Sequence, residues 1–280
     1  MIRRPVRIVT GDPVVIPLMD MRFIPGALDE LAGWVRDNVE GSGVESASDL
    51  FPRRGVVEDR LPSDNELGAE LAGRACYRSF GDKGKPRSNE DYLRSMWEGR
   101  IPHRSTGYHA HMTYFIADVS RRLSHEMFRN YVGHAKDEEG APSQESTRYC
   151  EHPGVYVAPP LIVGDERKLE RFRREMQRGY DEYLAFQEAE IEGFRQTHGG
   201  AEPRGLDRKR IHEAASFYLH HSAATSFIWT TNPMAHVKLT EERVDEPADL
   251  EFQRLGRVWR DVSVGLWPNL YVTLSSWARQ

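Results

Sequence analysis

The chain has 280 residues, a formal net charge of −5, and a composition that is 39% hydrophobic and 29% charged. That length buries a sizeable core in one large domain or two small ones. With no apolar run long enough to span a bilayer and no charged-then-apolar leader, the reading is of a cytoplasmic globular protein that does not engage membranes. An acidic balance argues against nonspecific nucleic-acid binding. Arginines nevertheless concentrate at Arg121, Arg122 and Arg129 and across 204–210, which suits a small anionic ligand.

In chain order, the β-branched runs around Val6–Val9 and Val14–Ile16, broken by Gly11-Asp12-Pro13, predict strand and turn. Leu28–Val39 predicts a short helix, and residues 41–65, rich in Ser, Gly, Pro and charge, predict a long loop. Residues 1–65 are therefore read as an N-terminal extension and loop packed on a main domain of residues 66–280. Residues 109–119 alternate, with Ala110, Met112, Tyr114 and Ile116 on one side and His109, His111 and Thr113 on the other, predicting a strand. A long helix is predicted over 165–197 from Leu169, Phe172, Met176, Tyr180 and Tyr183, with Asp207 as the cap of the helix after it. Thr225–Thr231 reads as a strand stopping before Asn232-Pro233, and Leu250–Val264 as an amphipathic helix. The mixture is α+β.

The densest chemistry lies in residues 118–149. Leu123, Met127, Phe128 and Tyr131 recur at helical spacing, and Glu126 is bracketed by Arg122 and Arg129. A polar loop then ends in Ser143-Gln144-Glu145-Ser146-Thr147-Arg148-Tyr149, whose hydroxyl, amide and guanidinium donors suit a phosphate. Cys76 and Cys150 form no metal-binding spacing and sit beside no base that would activate a thiolate, so they read as structural thiols. His109 and His111, with His103, His125 or His134, raise a metal site as a rival reading, although a His-x-His pair alone is usually ordinary strand polarity.

These residues carry a resemblance. Residues 119–129 (VSRRLSHEMFR) followed by Ser143–Tyr149 resemble the motif region of flavin-dependent thymidylate synthases, in which Arg-His-Arg and a spacer precede Ser-x-x-Ser-x-Arg-Tyr. Residues 103–109 (HRSTGYH) resemble that family's His-x-Ser/Thr-x-x-Glu-His, Phe227–Asn232 (FIWTTN) its aromatic-Trp-Thr-x-Asn, and Arg243-Val244-Asp245 its Arg-x-Asp. Arg74–Phe80 (RACYRSF) is a weaker echo of an N-terminal Arg-x-x-x-x-Ser-Phe. The segments are collinear from Arg74 to Glu251.

The resemblance implies one mixed domain with an antiparallel sheet and long helices, assembling as a homotetramer with its sites at subunit interfaces. It implies reductive C5-methylation of uridine monophosphates, UMP and dUMP, with FAD as cofactor and with methylenetetrahydrofolate and NADPH as co-substrates. Arg243 is then the catalytic candidate, stabilising the N3-ionised pyrimidine with a guanidinium that keeps its proton. Glu126, Arg129, Gln144, Glu145, Ser146, Thr147, Arg148 and Arg243 are implied nucleotide ligands. His103, Ser105, Arg129, Asn130, Tyr131, Gln144, Asn232 and Lys238 are implied flavin contacts. A dinucleotide so bound would be held by dispersed segments, since the chain lacks a Gly-x-Gly-x-x-Gly fingerprint.

The departures are specific. Arg129-Asn130-Tyr131 stands where the family has Arg-His-Arg, an acidic insertion within Gly133–Pro142 lengthens the spacer, and Tyr108 stands at the family's Glu. The family's phosphate-binding Arg falls at Ser216, with His212, Arg208 or Arg210 as stand-ins, and a flavin-contacting Asn falls at Lys238. These changes fit an altered pocket of the kind an antibiotic-pathway methylase needs. They also keep open an ordinary dUMP-specific enzyme and a non-catalytic nucleotide-binding relative. Taken alone, Arg243 reads as a surface residue paired with Glu241, Glu242 or Asp245, and Arg148 as one paired with Glu145 or Glu151.

Overall fold

The computed structural model describes residues 4–57, 59–98, 102–128, 140–244 and 246–271. Strand β1 (Arg7–Val9) pairs in parallel with β5 (Val155–Val157). The principal sheet is antiparallel, in the order β2 (Val14–Asp20), β3 (Met112–Ser120), β6 (Ala224–Thr231), β4 (Gly140–Gln144). Gly11-Asp12-Pro13 thus separates two strands of different sheets, and β2 brings the first residues of the chain into the principal sheet along β3.

Alternation in β3 sorts its residues as expected. Ala110 just ahead of it, then Met112, Tyr114 and Ile116, are at most 1% exposed. They face a core built from α3 (Asn89–Trp97), α4 (Arg121–Phe128), α7 (Pro233–Val244) and α8 (Leu250–Leu266). The pairing of β3 with β6 shifts between Ile116 and Val119, where Asp118 adopts φ +57°. The extra residue of this bulge returns Val119 to the core side and re-aims the chain into α4. The opposite side of the sheet is not sealed: Val14, Ile16 and Leu18 on β2 and Ile228 on β6 are 38–47% exposed.

Helix α1 (Ala27–Asn38) closes a second cluster in which Val44, Leu50, Phe51 and Phe80 are buried. The segment read as an open loop over 41–65 therefore packs in its first part, folding one 3-10 turn at Ala47–Leu50 as Val44, Leu50 and Phe51 enter this cluster, while Val57 and Leu61 stay exposed. Helix α5 (Glu166–Thr197) is capped by Asp165 and buries Met176, Tyr180 and Tyr183 against Tyr156 and α6 (Gly205–Ala215). Asp207 is not the cap of α6. The helix begins earlier, with Arg204 at the cap position and Asp207 in its first turn, where a carboxylate still favours the helix dipole. His109 ends a 3-10 turn, Arg104–His109, and does not share the strand face of Thr113.

Two buried carboxylates tie the helices of the amino-terminal half. Glu66 on α2 (Asp64–Tyr77) completes a capping box with Ser63 and also accepts from Arg60 and from the Asn269 N–H. Glu70, one turn on, is fully buried and accepts from Arg53, Arg74 and Asn89. Arg74, itself 1% exposed, lies over the Tyr92 ring and donates to the Ser79 carbonyl. The Arg74–Phe80 echo is thus seated in structural work.

Candidate active site

Three groups of the residues singled out by sequence take form around α4 and α7. The first is built by charges at the start of α8. Asp249 caps that helix, and Glu251 accepts from the Ser120 N–H at 2.7 Å and the Ser120 hydroxyl at 2.6 Å, while Ser120 Oγ accepts from the Leu123 N–H. Burial raises the Glu251 pKa, and the two bonds from Ser120 oppose that rise. Helix α4 is thereby pinned at its first turn, and Arg122 bridges Asp249 at 2.6 Å and Glu126 at 3.2 Å.

Arg243, in the last turn of α7, completes the row. Its guanidinium lies 4.0 Å from Glu126 and 5.3 Å from the centre of the Phe252 ring, and its side chain is 28% exposed. Its Nε is buried without a hydrogen-bond partner among the described residues. Arg243 is therefore not free on the surface: the carboxylate of Glu126, across on α4, stands beside its guanidinium. A row of alternating charge, Asp249, Arg122, Glu126, Arg243, leaves the last guanidinium half-open on an aromatic floor. Such a group stabilises a planar anion without exchanging its proton.

The second group gathers the described flavin candidates. Trp97 Nε1 donates to Thr106, and Thr106 Oγ1 donates to the His103 carbonyl, fixing the turn that carries His103 and Ser105. This turn packs on the start of α7: a Cβ at Gly107 would lie 2.7 Å from Met234. Asn232 is fully buried ahead of α7, with Oδ1 accepting from the Ala235 N–H and Nδ2 without a partner among the described residues. Lys238 is half-buried farther along α7. The exposed His103 ring meets Tyr77 edge-on, 2.9 Å from its hydroxyl at Nε2. Asn232 and Arg243 stand at opposite ends of α7, about 16 Å apart by helix rise.

The third group follows β4. The segment read as a polar loop contributes Gly140–Gln144 to the sheet edge, where Pro142, opposite Trp229, is tolerated because an edge strand needs no N–H on its outer side. Gln144 donates to Ser124 on α4 at 2.8 Å and to Thr225 on β6 at 3.1 Å. The N–H of Glu145 donates to the Ser226 carbonyl, and Ser146 accepts from the Arg148 N–H in a tight turn. Arg148 is exposed over the Tyr149 ring and has no ion pair among the described residues, since Glu151 pairs with Arg4. Thr147 opens on a cavity of about 350 Å³ shared with Arg121, Ser216, Phe217, His220 and His221.

Some expectations shift here. His212 does not reach this cavity. It is 5% exposed and its Nε2 accepts from Arg208 one turn earlier, while burial, together with the charge of Arg208, lowers its pKa. Arg129, Asn130 and Tyr131 lie outside the described residues. Among those described, no three His, Cys, Asp or Glu side chains are grouped to hold a metal ion. Sequence reasoning missed Asp249, Phe252, His220 and His221. The His220-His221 pair between a helix end and a strand was a usable signal.

Comparison with known proteins decides the family. The model described as thymidylate synthase complementing protein matches residues 59–269. The chain belongs to the flavin-dependent thymidylate synthase family. A flavin-dependent thymidylate synthase of Mycobacterium sp. (strain JLS) is 35% identical over 202 residues, covering 69% of this chain and 74% of that protein. One from Mycolicibacterium vanbaalenii is 34% identical over 193 residues, covering 66% and 70%. A likeness in fold extends over nearly the whole chain. The crystal structure of a UMP/dUMP methylase, PolB from Streptomyces cacaoi, bound with 5-Br UMP superposes with a TM-score of 0.60 at 14% identity, covering 97% of both chains.

Proposed function

We propose that this chain catalyses reductive C5-methylation of uridine monophosphates, accepting both UMP and dUMP, with methylenetetrahydrofolate as carbon donor and NADPH as reductant. The observation that carries the reading is Arg243: a half-buried guanidinium with an unpartnered Nε, propped by Glu126 and floored by Phe252. Electrophilic substitution at C5 needs an electron-rich pyrimidine, and a fixed cation beside the ring edge stabilises its N3-ionised form. Glu126 holds the guanidinium in place. Ser146 and Arg148, with Gln144, Glu145 and Thr147, bind and orient the nucleotide through its sugar and phosphate. Cys76 and Cys150 are exposed free thiols and take no part.

FAD is the proposed cofactor and supplies hydride when bound. The buried, unpartnered Asn232 Nδ2 is a donor that fits a flavin carbonyl. His103, Ser105 and Lys238 would hold the cofactor with it, as would Arg129, Asn130 and Tyr131. The candidate segments lie at separate places on the chain, which supports sites completed by a second copy in a homotetramer. The open apolar face of Val14, Ile16, Leu18 and Ile228 supports the same assembly. We place the enzyme in the cytoplasm, in nucleoside-antibiotic biosynthesis, with no nucleic-acid or membrane partner.

The test is incubation of the purified protein with FAD, NADPH, methylenetetrahydrofolate and either UMP or dUMP, followed by mass analysis of the pyrimidine. Both 5-methyl nucleotides are expected, with kcat/KM values within roughly a hundred-fold of each other, because a pocket that merely has room for a hydroxyl discriminates weakly. Robust dUMP turnover without UMP methylation would make this an ordinary thymidylate synthase. A protein that binds nucleotide but methylates neither would be a non-catalytic relative.

A further inference from the structure

The turn that carries Ser146, Thr147 and Arg148 is held from both ends. Upstream, the Gln144 amide bonds Ser124 and Thr225, and the Glu145 N–H bonds the Ser226 carbonyl. Within the turn, the N–H groups of Tyr149 and Cys150 both donate to the Ser146 carbonyl. Arg148, Tyr149 and Cys150 are exposed, so their bearing depends on where the chain is next secured. Glu151 offers only an exposed ion pair with Arg4, a contact worth little. The firm anchor is His152, four residues beyond Arg148.

His152 is 3% exposed and commits both of its backbone groups to one helix. Its N–H donates to the Tyr183 hydroxyl at 2.9 Å, and its carbonyl accepts from the Tyr180 hydroxyl at 3.2 Å. The two tyrosines stand three positions apart on α5 and so on one face, their rings stacked 5.9 Å apart and at most 1% exposed. The chain then passes over the Tyr180 ring at Gly154, where φ is +76° and a Cβ would lie 2.7 Å from the ring. The Gly154 N–H returns to the His152 Nδ1 at 3.2 Å, and burial pushes that imidazole down to about 4, so it stays a neutral acceptor. Phenylalanine would fill the same space at both positions. A buried hydroxyl costs stability unless it bonds, and here what the hydroxyls add is the grip on His152.

We infer, on the nucleotide reading proposed above, that Tyr183 with Tyr180 beside it is a positioning residue for the nucleotide, holding the downstream end of the turn from which Thr147 and Arg148 meet it. Seven residues lie between Gln144 and His152, with the ligand-facing groups in their middle. One end is fastened to the sheet and the other to α5, a capped helix of 32 residues and hence a stiff support. Releasing the α5 end returns backbone freedom to the turn, which nucleotide binding must then remove. That loss weakens ground-state and transition-state binding alike, so affinity falls while the chemical step does not. Both tyrosines act through His152 without touching the nucleotide themselves.

The test is calorimetric titration of the FAD-supplemented protein with UMP, at a temperature where circular dichroism shows each variant folded. Y183F should bind UMP about three- to tenfold more weakly, the worth of one hydrogen bond, while kcat at saturating nucleotide stays within about twofold of wild type. Y180F should shift affinity in the same direction, and it decides by the same readout if Y183F does not fold. Y156F is the control: its hydroxyl is buried in the same cluster without a hydrogen-bond partner among the described residues, so affinity should hold. In an R148A background, Y183F should add less than it does in wild type, because the group it positions has gone. Wild-type UMP affinity in a less stable Y183F, or effects of Y183F and R148A that add in full, would overturn the inference and leave the nucleotide reading intact. Wild-type affinity in R148A itself would remove the turn's part in nucleotide binding, and the positioning role with it.

Discussion

Replacing Glu70 with alanine should be among the most destabilising single changes available to this chain. Its carboxylate is fully buried and accepts from Arg53 at 2.8 Å, Arg74 at 2.7 Å and Asn89 at 2.8 Å. Arg53 is 23% exposed and can turn to water, but Arg74 is 1% exposed and cannot. Truncation leaves a guanidinium buried with only the Ser79 carbonyl and the Tyr92 face for company. Breaking one partner of a buried pair costs about 3–5 kcal/mol. For a chain of this size that is a fall in melting temperature of roughly 5–9 °C. Thermal and urea unfolding followed by circular dichroism measure it. The companion E70L/R74M, which removes both charges at similar volume, should recover most of the loss, because the penalty lies in the stranded charge and not in the lost contact. E70A melting within about two degrees of wild type would refute the reasoning.

Four further outcomes are expected. Arg243→Ala should lower kcat by roughly a hundred- to a thousand-fold in the methylation assay, and Arg243→Lys should rescue it poorly because the planar fork is lost. Arg148→Ala should mainly raise the nucleotide KM, since a phosphate contact is made equally in the ground and transition states. Cys76→Ser and Cys150→Ser should retain turnover, and a folded, flavin-loaded cysteine variant without activity would sink the thiol-free reading. Stability should fall as pH drops: burial pushes His152 down to about 4 and His236 down to about 3, so each gives full stability only above its unfolded pKa near 6.5 and loses it as pH falls through the folded value. Urea midpoints between pH 7 and 4 should show this, and H236Q should flatten the dependence.

Elements with strong periodicity were legible from the chain alone. The alternation of β3, the β-branched run of β6 and the apolar stripe of α5 all stand where their patterns put them, because one buried face dictates each pattern. Strand β4 was not legible. Its sequence, Gly140-Ala141-Pro142-Ser143-Gln144, has no β-branched residue and is drawn into the sheet by the open edge of β6. Tertiary context there overrode propensity. The site divided the same way. Arg243 and Glu126 are local to their helices in sequence, yet only the fold sets them 4.0 Å apart, and Phe252 beneath them carried no local sign of its place. His212 was a reasonable stand-in by helix spacing, but spacing could not reveal that Arg208 occupies its ring nitrogen.

Helix α7 also constrains how this chain can change. Asn232 and Arg243 are eleven positions apart, about three full turns, so the two ends of the helix present on nearly the same side. One residue inserted between them would swing Arg243 by about 100° around the axis and away from Glu126, although every side chain of the site would still be present. Insertion of four residues would nearly restore the bearing but carry the guanidinium about 6 Å farther along. Loops around the sheet can absorb added length without either error. The segment 233–243 therefore acts as a gauge block: its residue count is fixed by the distance it must hold, independently of which side chains fill it.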